Sequence, residues 1–390
     1  MKRYLHRAVV GDLEDEKMVF LSGPRQVGKT TLAKLVTEEI DPENGVYLNW
    51  DRPEHRKIIR SLDWSRTGRL VVLDEVHKYA RWKTLLKGFY DTEGHQQRIL
   101  VTGSARMDLY RKGGDSLAGR YRQLRLHPLS LGELAREGGE PEQRLLDDPA
   151  SWSLTAPAPS DLLPALEVLG GFPEPFLQGS ERKARRWRLA LREQVLRQDL
   201  RDLRRVMEVS LVEQLVDLLA ERVASPLSVN ALREDLGVHH RTLSQWIAAL
   251  EALHLVFLVR PYQGSLARTL RKPPKLYFWN WAEVPGDGAR FENLVAAHLL
   301  KYCHWQHDVQ GIRCELRYLR DRQGHEVDFL LLREGKPWIL IETKRSGTTA
   351  SRNLAYFQQR LPVSHAWQVT AGDEQRRLVI PARRLLKVLP

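Results

Sequence analysis

Met18–Val36 reads MVFLSGPRQVGKTTLAKLV, and no other stretch narrows the fold as far. Val19–Ser22 has the apolar run of a buried strand, and Gly23-x-x-x-x-Gly28-Lys29-Thr30 follows it. A helix is expected next, from about Thr30 to Glu39. Backbone amides of a glycine loop can wrap phosphate oxygens, and the helix N-terminus behind them adds its dipole. Lys29 supplies a point charge for the β and γ oxygens, and the Thr30 hydroxyl suits Mg²⁺. Gly23, Arg25, Gly28 and Thr31 complete the expected phosphate contacts. The ligand such a loop expects is a nucleoside triphosphate.

Downstream, Arg69–Glu75 reads RLVVLDE, an apolar run of the kind buried in a parallel sheet, ending in two carboxylates. Asp74 is placed to hold Mg²⁺ through water, and Glu75 to act as the base that orients the attacking water. Arg98–Val101 is a further short strand, followed by Thr102-Gly103-Ser104. Ser104, or Thr102, is the candidate γ-phosphate sensor, although Ser104 equally suits a helix N-cap. Hydrolysis needs a cation against the transition-state charge, and Arg106 and Arg120 are the candidates. Arg120 is expected at the end of a helix, acting in cis or from a neighbouring copy.

At 390 residues the chain is too long for one ordinary domain, and a hydrophobic fraction of 42% is ample for buried cores. No stretch approaches the roughly 18 uninterrupted apolar residues of a membrane span, and MKRYLHRAVVGDLEDE lacks a signal peptide's apolar region. Cys303 and Cys314 make neither a disulfide framework nor a Cys-rich metal site, so a cytoplasmic protein without a membrane partner is expected. The net charge is +12. Such an excess attracts polyanions, though it also serves solubility. Half of it falls in residues 181–205, where ten basic and four acidic residues stand. Leu189, Leu196, Leu200 and Leu203 recur there at helical spacing, giving an amphipathic helix whose arginines are either solvated or phosphate-contacting.

Residues 137–165 are rich in Pro, Gly, Ser and acid and read as a linker. Residues 226–260 follow the pattern of a winged helix-turn-helix: helix Ala231–Leu236, turn Gly237-Val238, helix Thr242–Leu253, and a wing strand Leu255–Val259. His239, His240, Arg241, Ser244 and Gln245 would face a DNA groove, unless the module packs only on protein. Further on, Phe291–Tyr302 reads as a helix with Glu292 in its first turn, and Val327–Leu332 and Trp338–Lys344 as a hairpin. Asp328 on one strand and Glu342-x-Lys344 on the other form the arrangement of the PD-(D/E)xK nuclease-like fold. Asp328, Glu342 and Glu292 would bind Mg²⁺ there, and Lys344 would position the attacking water, with Gln358 as a further polar residue. A Glu342–Lys344 pair could instead satisfy itself without catalysis.

GPRQVGKTT, LVVLDEVHK, LVTGSA and GRY followed by L-x-P-L-S-L-G-E resemble the prokaryotic AAA-type ATPases with a C-terminal domain of unknown function. The resemblance spans nearly the whole chain. It implies an additional winged helix and a restriction-endonuclease-like module, and ATP rather than GTP as the nucleotide. The expected architecture is α/β. A P-loop AAA-type core with a parallel sheet covers 1–140, and a linker and helical lid with the basic helix cover 141–220. A winged helix-turn-helix covers 221–275 and an α/β nuclease-like domain 276–390. The expected function is Mg²⁺-dependent ATP hydrolysis coupled to DNA binding or processing, in a homo-oligomer with ATP between protomers. The alternative is a nucleotide-controlled switch that assembles with a protein partner and carries a catalytically dead nuclease-like scaffold.

Overall fold

The computed structural model describes residues 1–66, 68–93, 97–103, 117–200, 208–262 and 273–390, apart from the side chains of Ser65, Arg66 and Leu145. Its contacts divide the chain into two compact units. The first is Met1–His127 with Gly138–Glu140, and the second is Pro128–Glu137 with Pro141–Pro390.

In the first unit, five parallel strands lie in the order β2-β3-β4-β1-β5: β1 Met18–Ser22, β2 Val46–Asn49, β3 Leu70–Asp74, β4 Arg98–Thr102 and β5 Tyr121–Arg125. Every residue of β1 and β3 is buried, as unbroken apolar runs in a parallel sheet require. One face packs on an aromatic core in which Phe20 meets Trp82 and Trp64 meets Phe89, with ring centroids 5.5 and 4.5 Å apart. Burying each of those Phe side chains contributes roughly 1.5–3 kcal/mol.

The second unit carries seven strands in the order β12-β11-β10-β9-β8-β6-β7. They are β6 Val256–Pro261, β7 Lys275–Phe278, β8 Cys314–Arg320, β9 Glu326–Arg333, β10 Lys336–Lys344, β11 His365–Thr370 and β12 Val379–Pro381. The strands β9 and β10 form the expected hairpin, turning at Glu334-Gly335. The helix Asp287–Asp308 packs on β8 and begins a turn earlier than its apolar pattern indicates, which puts Glu292 beyond its first turn.

Helices Val229–Leu236 and His240–Ala252 stand as a pair around the turn Gly237-Val238, the first capped by the Ser228 hydroxyl on the Ala231 amide at 3.2 Å. The strand expected as a wing is β6. It pairs antiparallel with β7 and also runs parallel to β8, through Arg260↔Arg317 and Pro261↔Tyr318. The hairpin is therefore the edge of the seven-stranded sheet, and a boundary at 275/276 would cut through β7.

Residues 128–137 belong to the second unit, ahead of the expected boundary at 140. Leu129 and Leu131 are buried there, the Ser130 hydroxyl donates to the Pro390 carbonyl, and Glu133 pairs with Lys301 at 2.7 Å. Gly171 is fixed by close packing in the same unit. A Cβ on Gly171 would stand 2.5 Å from the Trp281 ring, and the Gly171 carbonyl accepts from the Leu129 amide at 2.6 Å.

The basic segment is helical over Glu181–Gln194 and continues through a π turn, Val195–Asp199. That turn inserts a residue and rotates the buried face. Leu196 and Leu200 consequently lie in the core, while Leu189, expected on the same stripe, is exposed; Leu203 lies outside the described residues.

Candidate nucleotide site and the acidic cluster of the second unit

At the carboxyl end of β1 the chain turns through Gly23, at φ 149°, and reaches Gly28, at φ 100°. Gly23 has no room for a side chain, since a Cβ would stand 2.3 Å from the Leu126 carbonyl oxygen. Gly23→Ala is expected to abolish nucleotide binding while leaving the second unit folded. A fluorescent-nucleotide titration alongside circular dichroism checks it.

The Lys29 ammonium donates to the Gly23 and Pro24 carbonyls at 2.9 and 2.6 Å, so it is buried inside the loop it serves. Thr30 and Thr31 are exposed in the first turn of the helix Lys29–Ile40, and Arg25 is half-buried in the loop.

Asp74, at the end of β3, is buried and collects four donors. Thr102 on β4 donates to Oδ1 at 2.5 Å. Asn49 donates to Oδ2 at 3.1 Å and Thr30 at 3.4 Å, and the Tyr47 hydroxyl also bonds Oδ2. Strand register explains the convergence, because Asp74 lies opposite Asn49 on one side and Thr102 on the other. Burial and the Asp74 charge push the Tyr47 hydroxyl up to about 12, so it remains a donor. Tyr47 and Asn49 escaped the sequence reading. The signal for them is two polar tips alternating at the end of VYLN.

Glu75 follows in a left-handed conformation at φ 58°, its amide held by the Thr102 carbonyl at 2.9 Å. Burial raises its carboxyl above the usual range, and Lys78, 3.3 Å away, opposes that rise. Thr30 and Asp74 offer hydroxyl and carboxylate oxygens side by side, a donor set that fits Mg²⁺. When bound there, the ion would supply positive charge to the phosphates.

Arg120 is elsewhere. Its carbonyl accepts from the Met18 amide, so it lies at the amino end of β1, about 16 Å along the sheet from the phosphate loop. It is in a turn rather than a helix, and its guanidinium pairs with Asp91 at 2.6 and 3.1 Å. Ser104 and Arg106 fall outside the described residues.

In the second unit, Asp328 on β9 and Glu342 on β10 lie opposite each other, one step beyond the pair Phe329↔Ile341. Glu342 is buried and pairs with Lys344 at 3.0 Å. Burial, followed by the Asp328 charge, pushes Glu342 up to about 7. Gln358 ends the helix Arg352–Gln358, whereas the residue opposite Glu342 on β11 is Gln368.

The sequence reading also missed Lys275 on β7. Its ammonium is 2.7 Å from Glu326 and 3.3 Å from both Glu292 and Asp328, with the side chain 1% exposed. Tyr277 donates to Glu292 at 2.7 Å, and the Thr343 amide and hydroxyl donate to Asp328 Oδ2 at 2.8 and 2.7 Å. Among the described residues, no group of three His, Cys, Asp or Glu side chains is arranged to hold a metal ion. With the Lys275 ammonium between Glu292 and Asp328, and Glu342 paired with Lys344, these carboxylates as arranged do not fit Mg²⁺.

The family comparisons agree with the geometry of the first unit. Residues 15–135 match the model of an AAA domain. Residues 160–282 and 287–385 match two domains of unknown function, DUF8612 and DUF4143. Uncharacterized proteins of Mycobacterium bovis and Mycobacterium tuberculosis are each 25% identical over 412 residues, covering 99% of this chain and 83% of theirs. Among solved structures, the chain is similar to the Aeropyrum pernix Orc1 protein in complex with DNA, at 16% identity and a TM-score of 0.33, over 75% of this chain and 91% of that one. The Thermotoga maritima RuvB Holliday junction branch migration motor is 17% identical with a TM-score of 0.34, over 70% and 90%. No helix among the described residues is long and apolar enough to cross a membrane.

Proposed function

We propose that the chain hydrolyses ATP with Mg²⁺ and couples the nucleotide state to holding DNA. The observation that carries this reading is the Asp74–Glu75 pair at the end of β3, with Thr30 of the phosphate loop 3.4 Å from Asp74. Lys29 binds the phosphates, Thr30 and Asp74 hold the ion, and Glu75 takes the proton of the attacking water. Arg120, at the far end of the sheet, reaches phosphate only on a neighbouring copy, so this reading includes a homo-oligomer with the finger in trans. Thr102, bonded to Asp74, relays the state of the site to β4.

DNA holding is assigned to the second unit. His239, His240, Arg241 and Gln245 are exposed at the start of the second helix of the pair, the end a winged helix presents to a major groove. Arg182, Lys183, Arg185 and Arg186 are exposed on the basic helix, Arg185 beside Glu181 at 3.3 Å, and Arg192 is paired with Asp217 at 2.8 Å. Duplex binding, followed by fluorescence anisotropy, is expected to weaken steeply with salt. Neutralising four phosphates gives a log–log slope of about −3.6, and replacing the four exposed basic residues by Gln flattens it. Affinity unaffected by salt or by those substitutions would move the assignment to the second reading, a nucleotide-controlled switch that engages a protein partner.

Asp328, Glu342 and Lys344 on adjacent strands support a PD-(D/E)xK nuclease-like fold for the C-terminal region. Lys275 within the carboxylates favours a holding role over a cutting one. A cleavage assay on duplex, single-stranded and forked DNA with Mg²⁺ or Mn²⁺ tests this. Cutting that disappears in Asp328→Ala would restore the nuclease.

A further inference from the structure

A lysine ammonium has three N–H donors and no acceptor. Lys275 faces three carboxylates, Glu292 from the helix Asp287–Asp308 and Glu326 and Asp328 from β9. The oxygens around them are largely committed. Tyr277 donates to Glu292, Arg320 pairs with Glu326 at 3.0 Å, and Thr343 covers Asp328 Oδ2. The ring of Tyr318 lies 5.7 Å from the ammonium on a further side.

The backbone of Lys275 is fixed too. It pairs with Val259 on β6 and bridges to Pro226, and the neighbouring Pro274 carbonyl accepts from Leu227 at 2.8 Å. The side chain therefore enters the cluster from a strand whose backbone is paired with both β6 and Pro226. A divalent ion brought to the same point would meet a positive charge within hydrogen-bond distance of its ligands, in a site screened little by water. Buried carboxylates persist only when they are paired or bind a metal, and here the pairing comes from the chain itself.

We propose that Lys275 is the resident cation of this cluster, standing where a divalent ion would otherwise bind. The second unit accordingly works without a metal, and the ammonium ties the β6–β7 hairpin to β9. This deepens the holding role assigned above, but it can fail separately, because its test involves neither DNA nor nucleotide.

The experiment uses the full chain, free of nucleotide, with Mn²⁺ alone as the probe, followed by calorimetric titration and by melting temperature. Mn²⁺ is expected to shift the melting temperatures of the wild type and of Asp328→Asn equally, since any binding then belongs to the phosphate-loop unit, which Asp328→Asn leaves untouched. Lys275→Met uncovers the carboxylates. Mn²⁺ should then raise the melting temperature of that variant by several degrees, and the gain should vanish in Lys275→Met/Asp328→Asn. Wild-type Mn²⁺ binding that is lost in Asp328→Asn overturns the proposal, as does a folded Lys275→Met protein that gains none. Should Lys275→Met not fold, the comparison of wild type with Asp328→Asn still decides.

Discussion

Glu75→Gln is expected to bind ATP as tightly as the wild type and to turn it over on the order of 10²–10⁴ times more slowly, the usual contribution of a positioned general base. The amide is isosteric and keeps the left-handed turn at φ 58° and the amide bond to Thr102, but it cannot accept the proton of the attacking water. Binding survives because Lys29, Thr30 and the loop amides are untouched. The pH profile carries a second signature. Burial raises the Glu75 carboxyl, and a carboxylate in the proposed base role would act only when deprotonated. Turnover should therefore fall with decreasing pH along a limb lying above the ordinary glutamate range. That limb should be missing from the residual activity of Glu75→Gln. Steady-state phosphate release and a nucleotide titration measure both quantities. Wild-type turnover in the variant would remove Glu75 from the base role.

The largest expected loss of stability lies at Glu133. Its carboxylate is fully buried and pairs with Lys301 at 2.7 Å, and Lys301, 2% exposed, also donates to the Pro128 carbonyl and the Ser130 hydroxyl at 3.1 and 3.0 Å. Beside them His298 is held neutral, its pKa pushed down by burial to about 3, and accepts from the Leu131 amide at 3.0 Å. Glu133→Ala strands the ammonium without its carboxylate and is expected to cost about 3–5 kcal/mol, whereas removing both charges costs much less. Urea unfolding of Glu133→Ala, Lys301→Met and the double variant forms the cycle that separates the pair from its surroundings. Additive losses would mean that the two side chains do not act as a pair.

How far each site was legible depended on how local its atoms are. The phosphate loop could be read in full because its parts lie within Gly23–Thr31, and glycine spacing and strand–helix order suffice to define them. Asp74 and Glu75 were legible as the acidic end of an apolar run. Their partners were not, because Tyr47, Asn49 and Thr102 reach Asp74 only through strand register.

The basic stripe misled over Leu189. One π turn changes the phase, and residue spacing assumes an unbroken 3.6-residue period. Lys275 ends the stretch RKPPK, whose composition carries no sign of burial. Pairing of β7 with β6 carries it inward, fifty-three positions from Asp328.

The amino-acid sequence by itself determined the glycine loop between its strand and helix, the apolar run that ends in Asp74-Glu75, and the β9–β10 hairpin, since these follow from periodicity and from neighbours along the chain. Only the tertiary structure decided where the units divide, which end of the sheet holds Arg120, and whether the acidic cluster of the second unit faces an ion or an ammonium. The physical reason is that a carboxylate's chemistry is set by the charges and donors within a few ångströms. In a mixed sheet most of those arrive from strands far away along the chain.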